Sequence, residues 1–464
     1  MRKSTAVLLL LLSALNVLAV KISGRAKGFE GEFIRLYRVA DFISFREEKL
    51  DVWKVDANGN FTFTPYLHGD ELIRIKIRDI SQSFIAPSGT DLDIELNYDE
   101  ELNRNRIYDR QFQLHFVNSC DKGINEFIWD FQKSFAGFVA RNQRLFATKQ
   151  ARPAVQQFKD SVNASYKQKL PLYFANYLEY SLASLEDAVM ASETMLYEKY
   201  IKGRPIAYHN LAYMNFFVQF YQERFVQLSQ GKNGFQVLSA VNGSGDLAKL
   251  KELVRGSKLI EGDSLIELFI INGLREVYSD ETFKKDKVLR MLSTLVEKTI
   301  CPDNASIAKN ILEDLTFLKP GKSAPNFNLN DAEGLVHHLS DQEKRPVLLY
   351  FWSTSSLSSV RQLSLLKDLY ANYGRRLVFI SICMDDKTKK AGEIMKEAGA
   401  DWLNLFADAQ YDLVDKYDMH LVPTYSLIDS KGKIFRHPAG IPQTTLEGEI
   451  EKMLSENGGQ HIDH

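Results

Sequence analysis

The spacing of apolar residues changes twice along this chain, and that change constrains the fold more than any other feature. From residue 20 to residue 118 apolar and polar residues mostly alternate, and within 71–78 the side chains of Ile73, Ile75 and Ile77 share one face. Alternation indicates strands with one buried and one solvated face. Because turn residues separate the short segments, we predict an antiparallel β-sandwich over residues 20–118.

The apolar period becomes helical from residue 119 to residue 318. Phe127, Phe131 and Phe135 recur at four-residue steps, and similar patterns follow between Gly- and Pro-containing breaks. We predict an all-α domain of roughly 200 residues, a normal domain size.

An aromatic stripe in this helical region has two interpretations. It is either a platform for a sugar or a peptide, or packing between helices. We favour packing, because aromatic residues at helical spacing normally fill cores. The stripe consists of Tyr208, Tyr213, Phe216, Phe217, Phe220, Tyr221 and Phe225.

Strand and helix patterns alternate from residue 319 to residue 458. A buried strand is predicted at 347–351, a helix at 363–370 and a second central strand at 377–383, before a hairpin and a final helix. This order predicts an α/β domain in which helices flank a mixed sheet. Residues 459–464 form a polar tail.

The N-terminus has the features of a signal peptide. Arg2 and Lys3 precede an apolar run over 6–15, and small residues allow cleavage after Ala19. The run is short for a membrane span, so we predict a cleaved signal peptide over 1–19; the alternative is an uncleaved anchor. No cysteine follows the run to carry a lipoprotein anchor, and no later stretch reaches the length of a membrane helix. The mature protein is therefore expected to be periplasmic or otherwise exported.

Charge and cysteine content exclude several classes of function. The formal net charge of -2 gives no electrostatic reason to bind nucleic acid. The three cysteines, Cys120, Cys301 and Cys383, form no CxxC pair and no cluster with zinc spacing, so we predict neither a metal nor a cofactor. A Cys120–Cys301 disulfide is one alternative, and the odd count leaves at least one further thiol.

A run of small hydroxyl residues follows the buried strand at 347–351. This segment resembles the active-site segment of thioredoxin-fold proteins, the extracytoplasmic thiol–disulfide oxidoreductases of the TlpA/ResA type with their AhpC/TSA redoxin domain. Their pattern is Phe-Trp-Ala-Thr-Trp-Cys-x-x-Cys; Phe351, Trp352 and Thr354 match it, and the two cysteines fall on Ser356 and Ser359. The resemblance implies the thioredoxin-like fold, but the redox positions are degenerate, so no catalytic residue is assigned.

Residues 422–424 carry a second part of the resemblance. Val422-Pro423-Thr424 matches the family's cis-proline loop, which faces the active-site turn and pairs through its backbone with an extended peptide. The resemblance therefore implies a groove for a peptide or protein partner. Its predicted binding residues are Trp352, Ser355, Ser356, Val422, Pro423 and Thr424. The alternative is that Pro423 only maintains the fold.

The N-terminal region carries a looser resemblance. Its pattern of Asp56, Gly59, Phe61 and Phe63 is similar to the β-domains that precede thioredoxin-like domains in exported Bacteroidetes-type proteins.

Two functions are compatible with these features. The first is a redox-inactive binding or assembly module of the cell envelope. The alternative is a periplasmic thiol–disulfide oxidoreductase that works through Cys383 or through a partner's thiol. We favour a core position for Cys383, because it lies on a predicted central strand. The serines are expected to cap the following helix rather than to act as nucleophiles with His420.

Overall fold

The computed structural model describes residues 18–78, 80–103, 110–117, 123–342, 344–385, 389–407, 413, 416–417, 419 and 421–458. Residues 1–17 of the predicted signal peptide, Cys120, His420 and the predicted tail 459–464 lie outside the described residues. The chain divides into two compact units, Met1–Leu315 and Thr316–His464. Within the described residues, no helix has both the length and the apolar character required to cross a membrane.

The first unit begins with a two-stranded pair and an eight-stranded sheet. The elements are β1 (Leu18–Ala19), β2 (Ile22–Arg25), β3 (Phe33–Val39), β4 (Glu47–Lys54), β5 (Asn60–Phe63), β6 (Tyr66–Leu67), β7 (Glu71–Ile77), β8 (Ile80–Ala86), β9 (Leu92–Tyr98), the short helix α1 (Glu100–Asn103) and β10 (Arg110–Phe116). β1 pairs with β6, and the larger sheet has the order β4-β3-β7-β8-β10-β9-β2-β5.

The alternation in the sequence fits the burial of this sheet. In β7, Ile73, Ile75 and Ile77 are fully buried, and they share one core with residues from both ends of the sheet. The prediction of a wholly antiparallel arrangement is wrong for two pairs, because β2 lies parallel to β9 and β8 lies parallel to β10. These pairs join segments distant in sequence, and alternation carries no information on strand direction. The close approach of β2 to β9 also explains Gly24, where a Cβ atom would lie 2.1 Å from the carbonyl oxygen of Ile94.

The rest of the first unit is helical. The helices are α2 (Ile124–Ala147), α3 (Arg152–Ser165), α4 (Leu172–Ala188), α5 (Glu193–Tyr200), α6 (Leu211–Tyr221), α7 (Arg224–Gln230), α8 (Gly234–Leu238), α9 (Leu247–Arg255), α10 (Asp263–Glu276), α11 (Lys285–Lys298) and α12 (Pro302–Thr316), with a π-helical turn at Ser239–Ser244 and a 3₁₀ turn at Val277–Ser279.

The helices enclose one large apolar core. The aromatic stripe from Tyr213 to Phe225 is buried in it, which confirms the packing interpretation, and only Tyr208 of that stripe is half-buried. Val39, Phe42 and Ile85 from the sheet region belong to the same core. The sheet and the helices therefore form one compact unit, and their separation into two domains at residue 118 stays a prediction.

The second unit contains a seven-stranded sheet with helices. Its elements are β11 (Asn328–Asn330), β12 (Val336–His338), a 3₁₀ turn (Leu339–Gln342), β13 (Val347–Trp352), α13 (Leu357–Tyr373), β14 (Val378–Cys383), α14 (Lys389–Ala398), β15 (Leu403–Phe406), β16 (Thr424–Ile428), β17 (Ile434–Arg436) and α15 (Leu446–Gly458).

The sheet order β12-β11-β15-β14-β13-β16-β17 places β13 between a parallel neighbour, β14, and an antiparallel one, β16. The predicted mixed α/β sheet is therefore present. Leu363, Leu366 and Leu369 form the buried face of α13, at the helical spacing seen in the sequence.

Candidate functional site

The candidate site lies where β13 ends and α13 begins. All six residues of β13 are buried, because neighbouring strands flank it and apolar clusters cover both faces of the sheet. Trp352 is 0% exposed and belongs to one of these clusters. The prediction that its side chain lines a groove is therefore corrected: Trp352 packs beneath the junction, and the surface is formed by the residues that follow it.

Ser356 caps α13. Its backbone is extended, its Oγ accepts a hydrogen bond from the backbone N–H of Ser359 at 3.3 Å, and its carbonyl oxygen accepts one from the N–H of Val360 at 3.1 Å. A serine side chain at this position satisfies one of the N–H groups that a helix start leaves without a partner. The predicted capping role is confirmed for Ser356.

Asp385 holds the loop between Trp352 and Ser356, and the sequence did not single it out as a site residue. Its Oδ1 accepts a hydrogen bond from Ser353 Oγ at 2.8 Å, and its Oδ2 accepts one from the N–H of Thr354 at 2.6 Å. Ser353 Oγ lies 2.7 Å from Ser355 Oγ, which is exposed. A signal was available, since Asp385 follows β14, and adjacent parallel strands bring their carboxyl ends to the same edge.

Ser359, at the second predicted redox position, has a different environment from Ser356. It is 0% exposed, and its Oγ has no hydrogen-bond partner among the described residues. Its carbonyl oxygen accepts a hydrogen bond from the hydroxyl of Tyr350, whose pKa is raised by burial. Of the two serines, only Ser356 is therefore partly accessible from the surface.

The loop of residues 421–424 lies beside this junction, because Thr424 at the start of β16 pairs with Phe351 in β13. The Val422–Pro423 peptide bond is cis, and Thr424 Oγ1 donates a hydrogen bond to the carbonyl oxygen of Leu421 at 2.6 Å. Val422, Pro423 and Thr424 are half-buried.

Two exposed apolar side chains belong to the same region. Leu357 opens α13 and is 64% exposed, while Leu421 precedes the cis bond and is 65% exposed.

The remaining thiols do not lie at this surface. Cys383 is the last residue of β14, pairs with Trp352 and is fully buried, as the core interpretation predicts; its Sγ lies 3.9 Å from Asp385 Oδ2. Cys301 belongs to the first unit, where its Sγ lies 3.3 Å from the hydroxyl oxygen of Tyr208. With Cys120 outside the described residues, the Cys120–Cys301 disulfide stays a prediction. The described part of the chain contains no group of three or more His, Cys, Asp or Glu side chains placed to hold a metal ion.

Comparison with known families identifies the second unit. The sequence profile of the AhpC/TSA family matches residues 320–437. This segment is an AhpC/TSA redoxin domain. The redoxin domain contains the junction, Asp385 and the 421–424 loop.

Curated relatives match the same part of the chain. The thiol-disulfide oxidoreductase ResA of Geobacillus kaustophilus is 27% identical over 171 residues, which is 37% of this chain and 97% of that protein. ResA of Geobacillus thermodenitrificans is 28% identical over 151 residues, covering 32% of this chain and 87% of the relative. ResA of Bacillus subtilis is 24% identical over 158 residues, or 34% and 88% of the two chains. The resemblance to ResA proteins that the sequence suggested is confirmed.

Solved structures match this region as well. The thioredoxin domain of a thiol-disulfide oxidoreductase from Bacteroides vulgatus is 20% identical, with a TM-score of 0.27 and coverage of 29% of this chain and 97% of its own. A thiol:disulfide interchange protein from Bacteroides sp. is 21% identical, with a TM-score of 0.28 and coverage of 31% and 97%.

Proposed function

We propose that the redoxin domain binds an extended polypeptide segment and does not exchange disulfides through thiols of its own. The observation that carries this proposal is the chemistry of the junction. Serines, Ser356 and Ser359, occupy the two positions that carry cysteines in the TlpA/ResA-type pattern. The domain's thiol, Cys383, is fully buried.

The chemical reason lies in what a thiol supplies at a helix start. A cysteine there forms a thiolate readily, because the N-terminal end of the helix stabilises negative charge, and the thiolate attacks a disulfide. A serine hydroxyl stays protonated and has no comparable redox chemistry. At Ser356 the hydroxyl instead serves as a cap of α13.

The surface around the junction supports binding of a polypeptide. Leu357 and Leu421 offer exposed apolar side chains on the two segments that meet there. Residues 422–424 are half-buried and continue into β16, so we expect their backbone to suit strand-like pairing with an extended chain. Apolar contacts would then add affinity to the main-chain hydrogen bonds.

Export of the protein is part of the same proposal. The basic residues Arg2 and Lys3 followed by the apolar run at 6–15 support a signal peptide. The protein would act outside the cytoplasm, as a binding or assembly module of the cell envelope.

A titration of the full chain tests the binding function. The probe is a reduced and carboxymethylated insulin B chain, an extended polypeptide without reactive thiols. We expect saturable binding that Leu421→Asp weakens about tenfold, since it places a charge at an apolar contact. Leu335→Asp is the matched control, because Leu335 lies in the same domain and is 63% exposed. Absence of saturable binding, or equal effects of the two substitutions, would contradict the proposal.

The names of the relatives favour a second function, thiol–disulfide oxidoreduction, and they support that family-level alternative better than a binding module. In this chain it requires either exposure of Cys383 or a thiol from a partner. An insulin-reduction assay on the same samples separates the two functions. Turnover that disappears in Cys383→Ala would establish the enzyme and overturn the redox-inactive proposal.

A further inference from the structure

A cleft of about 200 Å³ lies in the first unit, between the sheet and the helices. It is lined by the end of β3 and the segment after it, by the segment between β6 and β7, and by residues before α6 and within α12. Its lining includes Arg38, Glu48, Glu71, Tyr208 and His209. Ligand pockets for drug-sized molecules usually measure 300–1,000 Å³, so this volume suits a single small ring.

A charged pair with incomplete hydrogen bonding forms part of the cleft. Arg38 Nε and Nη2 contact Glu48 Oε2 at 2.8 and 2.7 Å, while Arg38 Nη1 lies 3.8 Å from Glu71 Oε2. Glu71 Oε1 accepts a hydrogen bond from the N–H of His68 at 2.8 Å, but its buried Oε2 has no hydrogen-bond partner among the described residues. A buried carboxylate oxygen without a donor is costly, so a ligand hydroxyl that reached this oxygen would remove that cost.

The short distance between Arg38 Nη1 and Glu71 Oε2 limits which kinds of ligand can bind there. A cation bound to Glu71 Oε2 would lie close to the guanidinium of Arg38, and an anion bound to Arg38 Nη1 would lie close to the carboxylate. A hydroxyl group satisfies both, since its oxygen accepts from Arg38 while its hydrogen is donated to Glu71. Arg38 Nη1 and Glu71 Oε2 are 3.8 Å apart, so a single oxygen atom can lie within hydrogen-bond distance of both.

Two other side chains in the lining of the cleft are fixed in position by partners outside that lining. Tyr208 is half-buried and its hydroxyl donates to Asn304 Oδ1 at 2.9 Å, which holds the side chain in place. His209 Nε2 lies 3.2 Å from Asp303 Oδ1, so the imidazole is also held.

We propose that this cleft binds a small neutral ligand with several hydroxyl groups, of the size of a monosaccharide. This site is independent of the polypeptide-binding function of the redoxin domain.

Titration of the full chain with D-glucose, D-galactose, D-mannose and N-acetylglucosamine tests the proposal. Ligand-observed NMR should detect saturable binding of at least one sugar in the millimolar range. Glu71→Gln should weaken that binding about tenfold, because it replaces a charged acceptor by a neutral amide while keeping an oxygen for the His68 N–H. Glu32→Gln is the control: Glu32 forms an ion pair with Arg78 outside this cleft, and its variant should bind the sugar normally.

A variant that fills the cleft tests the proposal without changing the residues of the ion pairs. Gly69 lines the cleft, and a Cβ atom built there meets nothing within 4 Å. Gly69→Trp should abolish sugar binding, while Gly69→Ala should retain it. The proposal is overturned if no sugar in the panel binds saturably, if Glu71→Gln and Gly69→Trp both bind as the unmodified chain does, or if cadaverine or inorganic phosphate binds more tightly than every sugar.

Discussion

The buried hydroxyl of Ser359 should destabilise the redoxin domain. Ser359 is 0% exposed, and its Oγ has no hydrogen-bond partner among the described residues. A buried polar group without a partner costs about 1–3 kcal/mol of folding free energy. Ser359→Ala removes this cost and leaves a small void, so we expect a net stabilisation of about 1 kcal/mol. Ser359→Cys should give a similar gain, because a thiol behaves as a small apolar group in a core.

Ser426, in β16, provides a matched control in the same domain. It is also 0% exposed, but its Oγ lies 2.6 Å from Nδ1 of His437. Ser426→Ala should therefore destabilise the domain by about 1 kcal/mol, the opposite sign for the same substitution.

Hydrogen-exchange mass spectrometry of the full chain can follow peptides from β13 separately from the first unit. A change of about 1 kcal/mol alters the opening equilibrium of such peptides about fivefold. Faster exchange of β13 in Ser359→Ala would refute the reasoning.

Three further outcomes follow from individual contacts. Asp385→Ala should cost about 2 kcal/mol and accelerate hydrogen exchange in the loop after β13, because two donors lose their acceptor. The bond from His337 lowers the pKa of Asp331 below its usual 3.8, so the contribution of Asp331 to stability is present above that pH and is lost as the pH falls through the lowered value. Urea unfolding of Asp331→Asn should lack this acid dependence. The hydrogen bond to Asp303 raises the pKa of His209 above 6.5. The contribution of His209 to stability is therefore present below pH 6.5 and is lost as the pH rises through the raised value. An NMR titration of His209 in Asp303→Asn should show a lower titration midpoint than in the unmodified chain.

The sequence was sufficient for features that depend on local pattern. The apolar run predicts a strand at 347–351, because a strand covered on both faces shows no alternation; the observed β13 extends one residue further, to Trp352. The leucines of α13 predict its buried face, and the hydroxyl residue before them predicts its cap. These features require only neighbouring residues, whose spacing sets the direction of each side chain.

Contacts between residues distant in sequence could not be predicted from local patterns. The hydrogen bonds from Ser353 and Thr354 to Asp385 span 32 and 31 residues, and they arise only after β13 and β14 align in parallel. The full burial of Trp352 depends on the layers on both faces of the sheet. The parallel pairing of β2 with β9 depends on the path of the chain, about which an alternating pattern says nothing.

The two serines at the start of α13 are not equivalent, and this difference determines what cysteine restoration should do. Ser356 Oγ is a useful acceptor for the N–H of Ser359, so Ser356→Cys should lose about 1 kcal/mol of capping free energy, because sulfur accepts weakly. Ser359→Cys should recover a similar amount. The double variant should therefore unfold at nearly the same urea concentration as the unmodified chain.

The reactivity of the double variant tests the junction itself. Position 356 is half-buried and lies at the helix start, so the thiol that Ser356→Cys introduces should react with iodoacetamide. The rate of this reaction should rise with pH, and the midpoint of that pH dependence should fall below the ordinary thiol pKa of about 8.5, because the helix N-terminus stabilises the thiolate. The single variant Ser359→Cys is the control, since a thiol buried at that position should react slowly at every pH. An ordinary or higher midpoint for the thiol at position 356 would show that this junction does not provide the environment of a thioredoxin-type active site.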